Sequence, residues 1–225
     1  MYRLDSDQIL RIPDLEAFCW LEHGFGTRHS GTWPPEDARA TLKQIHSTRV
    51  AIADKPGIFG EGDALITDTP GVFIAIKTAD CLPVLLVDPE NKVVAAVHAG
   101  WRGTAGNIVR TTIDTMVSDF HSNPKRIWAA IGPGIRACCY EVSGDVAAQF
   151  ASWLPKLVAC EVTMLDLTEI NQQQLTQAGV PHQQVLATKG GCTRCEANFH
   201  SFRRDKESAG RMLSAIRIRT LQVHS

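Results

Sequence analysis

The chain has 225 residues, 44% hydrophobic and 21% charged, an ordinary balance for a soluble globular protein of one large or two small domains. Its 23 Lys and Arg against 24 Asp and Glu leave a net charge of −1, which argues against a bulk electrostatic binder of nucleic acid or membrane. The seven cysteines do not read as a disulfide framework. No signal-like segment opens the sequence and no apolar run reaches the ~18 residues that span a bilayer, so a reducing, cytoplasmic setting is expected.

Residues 1–22 alternate apolar and polar positions and predict one or two strands with a turn at Pro13-Asp14. His23 to Gly31 reads as a Gly-rich loop with two His and Arg28, and Asp37–Leu42 as a short helix. Thr48–Ile52 is a strand, Lys55–Gly62 a loop, and Ala64–Thr67 and Val72–Ile76 are short strands around a Pro-Gly turn. Thr104 is placed to cap a helix reaching Phe120, with Ile108, Val109, Ile113, Met116, Val117 and Phe120 on its buried face. Arg126–Ile131 is a strand broken by Gly132-Pro-Gly134, and Ser143 caps a helix to about Leu154. Cys160–Leu165 is a strand, 167–178 a polar helix closed by Gly179, and Gln184–Ala187 a strand. Lys189–Glu196 is turn-rich, and Gly210–Val223 predicts a helix giving way to a strand. Strands crowd the first half without alternating with helices, which favours an α+β class in one domain, 1–225.

The centre of this reading is Thr78 to Thr104. Two apolar runs, 82–87 and 93–97, are too short for helices and flank turn chemistry at Asp88–Lys92, so they predict a β-hairpin. Its outer ends carry Cys81 and His98. An even loop of two or four residues puts both on one sheet face, roughly 5–8 Å apart at Cβ. A three-residue bulged loop with Asn91 left-handed puts them on opposite faces. A thiol beside an imidazole suits a metal or a thiolate nucleophile. His46, at the start of a predicted strand, is a third candidate. Two His and one Cys match the ligand count of a catalytic zinc, although gaps of 35 and 17 residues match no short zinc motif. A buried thiol with a hydrogen-bonded His is the plainer alternative. Asp80 is placed to orient a ligand or move a proton.

Cys192-Thr-Arg-Cys195 has C-x-x-C spacing but no second such pair nearby, and the adjacent Cys138 and Cys139 read as filler. The arginines are more suggestive together than singly. Arg203 and Arg204 sit beside aromatics, Arg102 precedes a helix start among Gly100, Gly103 and Gly106, and Arg28 lies in the early loop. Near a Cys/His pair they point to an anionic substrate such as phosphate.

Gln44-Ile-His46, Thr78-Ala-Asp-Cys-Leu-Pro-Val84, His98-Ala-Gly-Trp-Arg-Gly-Thr104, Ile131-Gly-Pro-Gly134 and Phe202-Arg-Arg-Asp205 with Gly210-Arg211 occur in one order. This resembles the YfiH family, also called the laccase-domain or polyphenol-oxidase family, from about residue 23 onward. The resemblance implies zinc on His46, Cys81 and His98, with copper binding in vitro compatible with the same set. It implies a four-layer α-β-β-α sandwich with mixed sheets, similar to the catalytic domain of cytotoxic necrotizing factor. It also implies purine nucleoside phosphorolysis, in which adenosine, inosine or methylthioadenosine plus phosphate gives the base and a sugar 1-phosphate, with adenosine deamination as a companion activity. The expected partners are therefore a nucleoside and phosphate, not nucleic acid or membrane, in a monomer or homodimer. The chain departs from the family in a short segment between Arg28 and Gln44, in His200 where an aromatic is more usual, and in the C-x-x-C made by Cys195.

Three rival readings follow from the same residues. Cys81 can be a metal-free nucleophile with His98 as base, acting on an amide such as one in a peptidoglycan precursor. Copper polyphenol oxidation needs many His ligands, and the eight here form no His-x-His motif. A zinc-stabilised binding module would show a closed four-ligand site with no pocket.

Overall fold

The structure, a computed structural model, describes residues 2–153, 162–187 and 190–220. Strands and helices are numbered here in chain order. A seven-stranded mixed sheet runs, edge to edge, Arg3–Leu4 (β1), Ile9–Arg11 (β2), Leu21–Gly26 (β3), Met212–Ile218 (β15), Phe73–Thr78 (β8), Arg39–Lys43 (β4) and Gly57–Glu61 (β6). A six-stranded mixed sheet runs Val185–Ala187 (β14), Trp128–Ile131 (β11), Leu82–Asp88 (β9), Val93–Ala99 (β10), Ala64–Thr67 (β7) and Val50–Ile52 (β5). Glu141–Ser143 (β12) and Val162–Met164 (β13) form a separate antiparallel pair. The helices are Pro13–Glu16 (α1), Trp101–Ala105 (α2), Ile108–Phe120 (α3), Gly144–Ala148 (α4), Leu167–Gln177 (α5) and Phe202–Asp205 (α6). No helix among the described residues is long and apolar enough to cross a membrane.

The sheets pack face to face. Leu65, Leu85, Val87, Val94 and Ala96 of the six-stranded sheet meet Phe25, Ile74, Ile76 and Ile216 of the seven-stranded one. The other face of the six-stranded sheet carries Ile66, Val84, Leu86, Ala95 and Val97 against Ile108, Val109, Ile113 and Met116 of α3 and Ile170 and Leu175 of α5. Covered on both faces, β9 and β10 are buried at every position and read as continuous apolar runs. Each buried Val or Leu there contributes about 1.5–3 kcal/mol. The far face of the seven-stranded sheet, at Phe73, Ala75 and Ala215, is covered by Trp33 and Ala38. Those two residues belong to a loop with one 3-10 turn, where the sandwich expectation places a helical layer.

The hairpin expectation holds. Asp88 pairs with Val93 and His98 with Pro83, so four residues, Pro89–Lys92, make the turn. The even count puts Cys81 and His98 on the same face, as diagonal neighbours. Lys92, not Asn91, takes the left-handed conformation, with φ 52°. Asp88 Oδ1 accepts from the backbone N–H of Glu90 and Asn91 and fixes the turn.

Other expectations change. The Gly-rich loop begins as strand β3, and His23 is buried, its Nε2 accepting from Ile12 N–H at 3.0 Å. Burial, reinforced by Arg11 and Arg219, takes that imidazole down to about 3. Asp37–Leu42 is mostly strand β4, because Ala40 and Leu42 point into the core with period two. Lys55–Gly62 is largely the exposed edge strand β6, whose Gly57 and Gly60 have positive φ. The helix expected from Thr104 is two helices. Gly106 and a left-handed Asn107 divide them, and a Cβ at Gly106 would meet Thr48 Cγ2 at 2.6 Å. Thr104 is buried and accepts from Asn171 Nδ2 instead of capping. The helix after Ser143 ends at Ala148, and the expected limit at Leu154 lies outside the described residues. So do the first residues of the Cys160–Leu165 strand, Lys189 and positions 221–223. The tail is strand β15, seated between β3 and β8. The helix at 167–177 forms as expected, capped by Asp166 and closed at Gly179.

Candidate active site

Three features bring distant residues to one place. The first is a crossover. β8 belongs to one sheet and β9 to the other, so Ala79, Asp80 and Cys81 carry the chain between them. Asp80 makes the turn with φ 85°, a conformation Asp tolerates better than most residues. Its Oδ1 accepts from Thr193 Oγ1 at 2.6 Å and its Oδ2 from Arg203 N–H at 2.6 Å.

The second is a cross-strand pair. His98 lies directly opposite Asp63, which precedes β7: His98 N–H donates to Asp63 O at 2.7 Å, and His98 Nδ1 lies 2.8 Å from Asp63 Oδ1. The third is the His46 turn. The same Asp63 carboxylate accepts from the backbone N–H groups of Ile45, His46 and Ser47 and from Ser47 Oγ. His46 itself is left-handed, with φ 59°. Just before it, the Gln44 amide pairs with both backbone groups of Lys77, tying the turn to β8. One buried carboxylate therefore orients both histidines.

The outcome is a cluster of His46, Cys81 and His98 whose ligand atoms all lie within 4.8 Å of one another. The imidazoles stand 4.9 Å apart at 70°, and Cys81 Sγ is 3.9 Å from His46 Nε2. Tetrahedral bonds of about 2.0 Å to nitrogen and 2.3 Å to sulfur would bring N and S to about 3.5 Å. The donor set fits a metal ion on both type and spacing. Gly100 closes the cradle: a Cβ there would sit 3.0 Å from both Cys81 Sγ and His46 Cδ2. His98 is buried, Cys81 partly exposed and His46 exposed, so the cluster opens to one side.

The electrostatics suit deprotonated sulfur. Burial pushes the Cys81 thiol up, but hydrogen bonding and charge from His46 and His98 outweigh it and bring it to about 6. Burial pushes His98 down, and Asp63 and Cys81 together raise it to about 9. Burial raises Asp63, while His98 and Ser47 hold it down at about 2.

A cleft of about 580 Å³ opens beside the cluster, within the ~300–1,000 Å³ usual for small-molecule sites. Tyr140 and Phe202 supply aromatic walls, and Lys77, Arg203 and Arg211 supply cations. Of the four expected anion-binding arginines, only Arg203 lines this cleft. Arg203 also packs on the Tyr140 ring at 5.4 Å and donates to Glu141 O. Arg204 turns away, donating to the Asp205 carboxylate and to the carbonyls of Thr193, Arg194, Glu196 and Phe199. Arg102 lies over the Trp101 ring at 4.3 Å, and Arg28 faces Asp205 at 3.8 Å. Sequence reasoning missed Asp63, Lys77, Tyr140 and Arg211. Arg211 stood in a quoted motif, whereas a buried carboxylate such as Asp63 carries no signal until its partner is known.

Comparison with known proteins gives the family. The profile of the family described as multi-copper polyphenol oxidoreductase laccase matches residues 27–219. The chain belongs to this family. It is 49% identical over 183 residues to a purine nucleoside phosphorylase of Deinococcus radiodurans, covering 80% of this chain and 70% of that one. It is 37% identical to the purine nucleoside phosphorylase YfiH of Escherichia coli, covering 78% and 72%. It is 35% identical to adenosine deaminase RL5 of an unknown prokaryotic organism, covering 94% and 83%. The fold is similar to the crystal structure of the Bacillus licheniformis hypothetical protein YfiH, with TM-score 0.87, 28% identity and 97% and 99% coverage. YlmD from Geobacillus stearothermophilus gives the same values. These relatives carry enzyme names, and the chain is an enzyme of the YfiH family.

Proposed function

We propose that the protein is a zinc-dependent purine nucleoside phosphorylase with adenosine deaminase side activity. It would act on adenosine, inosine or methylthioadenosine, as one catalytic domain spanning 1–225. The observation that carries this reading is the open His46–Cys81–His98 cluster beside a cleft holding both aromatic walls and cations. His46, Cys81 and His98 would hold the ion, which when bound supplies Lewis-acid polarisation of a purine atom or a low-pKa water.

The chain's own groups do the rest. Asp63 keeps the proton on His98 Nδ1 and so turns Nε2 toward the cluster. Tyr140 and Phe202 offer faces for a purine. Arg203, Arg211 and Lys77 hold phosphate against the sugar, so that a phosphate oxygen bonds to the anomeric carbon as the bond to the base breaks. The proton carried in by the attacking hydrogen phosphate ends on a nitrogen of the leaving base. Both oxygens of Asp80 are engaged by Thr193 and Arg203, so in this reading Asp80 positions the cleft wall and does not carry that proton. None of the six described cysteines is in a disulfide, which fits a cytoplasmic enzyme.

The copper oxidase reading lacks a second imidazole cluster: the other ligand group among the described residues is four cysteines. The Cys81–His46 contact also suits a metal-free cysteine hydrolase, with Cys81 as nucleophile. One experiment separates them. Release of hypoxanthine from inosine should require phosphate, stop on metal removal and return with zinc. Turnover that is indifferent to phosphate or survives chelation would defeat the proposal.

A further inference from the structure

Four cysteines outside the active site also converge. Cys138 and Cys139 lie in the loop after β11, and Cys192 and Cys195 in the loop after β14. Their sulfurs all lie within 4.8 Å of one another, with Cys138–Cys195 at 3.8 Å and Cys139–Cys195 at 3.2 Å. We propose that these four thiols are a second metal site, a closed tetrathiolate zinc centre that clamps the loop carrying the cleft residues Ile135 and Tyr140 to the loop whose Thr193 anchors Asp80.

Spacing selects the occupant. Zn–S bonds of about 2.3 Å in a tetrahedron set sulfurs about 3.8 Å apart, the scale seen here. Disulfide sulfurs lie at about 2.05 Å, far inside these separations. A two- or four-iron cluster, also held by four thiolates, needs a wider frame because its thiolates are spread over separate iron ions joined by bridging sulfides. Four soft anionic donors favour zinc among the available divalent ions.

The backbone folds each cysteine pair into a tight turn. Cys195 N–H and Glu196 N–H donate to Cys192 O, which makes the C-x-x-C segment a tight knuckle. Cys139 N–H and Tyr140 N–H do the same with Arg136 O in the opposite loop. A parallel bridge between Gly134 and Cys192 holds the knuckles together. Arg194 Nη1 reaches Cys139 O at 3.4 Å, bringing a cation beside the four anions. Cys192 is buried, while Cys138 and Cys195 are exposed and give the ion a way in.

The clamp acts on the cleft. Thr193, inside the second knuckle, anchors Asp80, and Tyr140, next to Cys139, forms a cleft wall. Loops about 55 residues apart in sequence are otherwise tied by few bonds, so a metal cross-link removes most of their freedom. This inference stands whether or not the enzyme is a phosphorylase.

The test is metal content and cobalt spectroscopy on the full chain. Wild type purified with zinc should hold two ions per chain. Cys192→Ser/Cys195→Ser should hold one, and Cys19→Ser, at a distant exposed thiol, should keep both. Cobalt in the second site should give intense sulfur-to-metal charge-transfer bands, lost in Cys138→Ser and retained in His98→Ala. A Tm drop of several degrees should accompany loss of the second ion. If the paired variant folds poorly, the wild-type cobalt spectrum decides alone. One ion per chain, removed by His98→Ala, or a disulfide among these four residues in the native protein, would overturn the proposal.

Discussion

Asp63 and His98 face each other across β7 and β10, with Oδ1 and Nδ1 2.8 Å apart, and both are nearly or fully buried. The same carboxylate collects the amides of the His46 turn. Asp63→Asn keeps the shape but removes the charge and part of the acceptor capacity. Zinc affinity should fall about 10–100-fold, the usual cost of losing an outer-shell partner. Competition with a chromophoric chelator measures it, and unchanged affinity would remove Asp63 from the site.

The pair also sets a pH window in the metal-free protein. Asp63 is held at about 2 against an ordinary 3.8, so its contribution to stability is present above 3.8 and lost as pH falls through about 2. His98 is raised to about 9 from 6.5, so its contribution is complete below 6.5 and lost as pH rises through about 9. Urea unfolding of metal-free wild type against Asp63→Asn should therefore show the largest stability difference between those limits, shrinking on both sides.

Cys81 in the metal-free protein should be alkylated as a thiolate. Its rate, followed at the Cys81 peptide by mass spectrometry, should rise through about pH 6 and then level. In His46→Ala/His98→Ala the rise should move up toward the ordinary thiol range. Zinc should protect Cys81 in the wild type.

The two neighbouring arginines should behave differently. Arg211→Ala and Arg203→Ala should raise KM for phosphate about tenfold or more, because each removes a cation from the cleft. Arg204→Ala should lower Tm by several degrees with little change in that KM, because Arg204 binds four carbonyls and Asp205. Equal effects on KM would refute this division.

Asp80→Asn should lower kcat and Tm together without removing a limb of the pH–rate profile. The two donors, Thr193 Oγ1 and Arg203 N–H, sit on different carboxylate oxygens, and an amide replaces one of those acceptors with an NH2 group. Loss of a limb would restore Asp80 as a proton carrier. Gly100→Ala should cut metal occupancy while the chain stays folded, since its Cβ presses on Cys81 and His46 at 3.0 Å.

Much of the site was legible because strand geometry has a parity. The apolar runs at 82–87 and 93–97 and the turn residues between them required a hairpin, and a four-residue turn then required Cys81 and His98 to share a face. What misled the reading was local. Asp37–Leu42 has helix-friendly composition, yet tertiary pairing with β8 and β6 took it as a strand. The tail, expected to begin as a helix, is strand at Met212–Ile218 because it fills the gap between β3 and β8. The glycines of β6, with Lys55 and Pro56 before it, signal a loop because an exposed edge strand has no core to satisfy.

Sequence alone determined which side chains are chemically suited to an ion and that two of them end one hairpin, because residue chemistry and short apolar runs are local; the four-residue turn seen in the structure decided that they share a face. Sequence did not determine that Asp63 stands behind His98, that Arg204 faces inward while Arg211 faces the cleft, or that two pairs of cysteines meet. Those relations join strands and loops far apart in the chain, and packing of the two sheets and their connecting loops brings them within bonding distance.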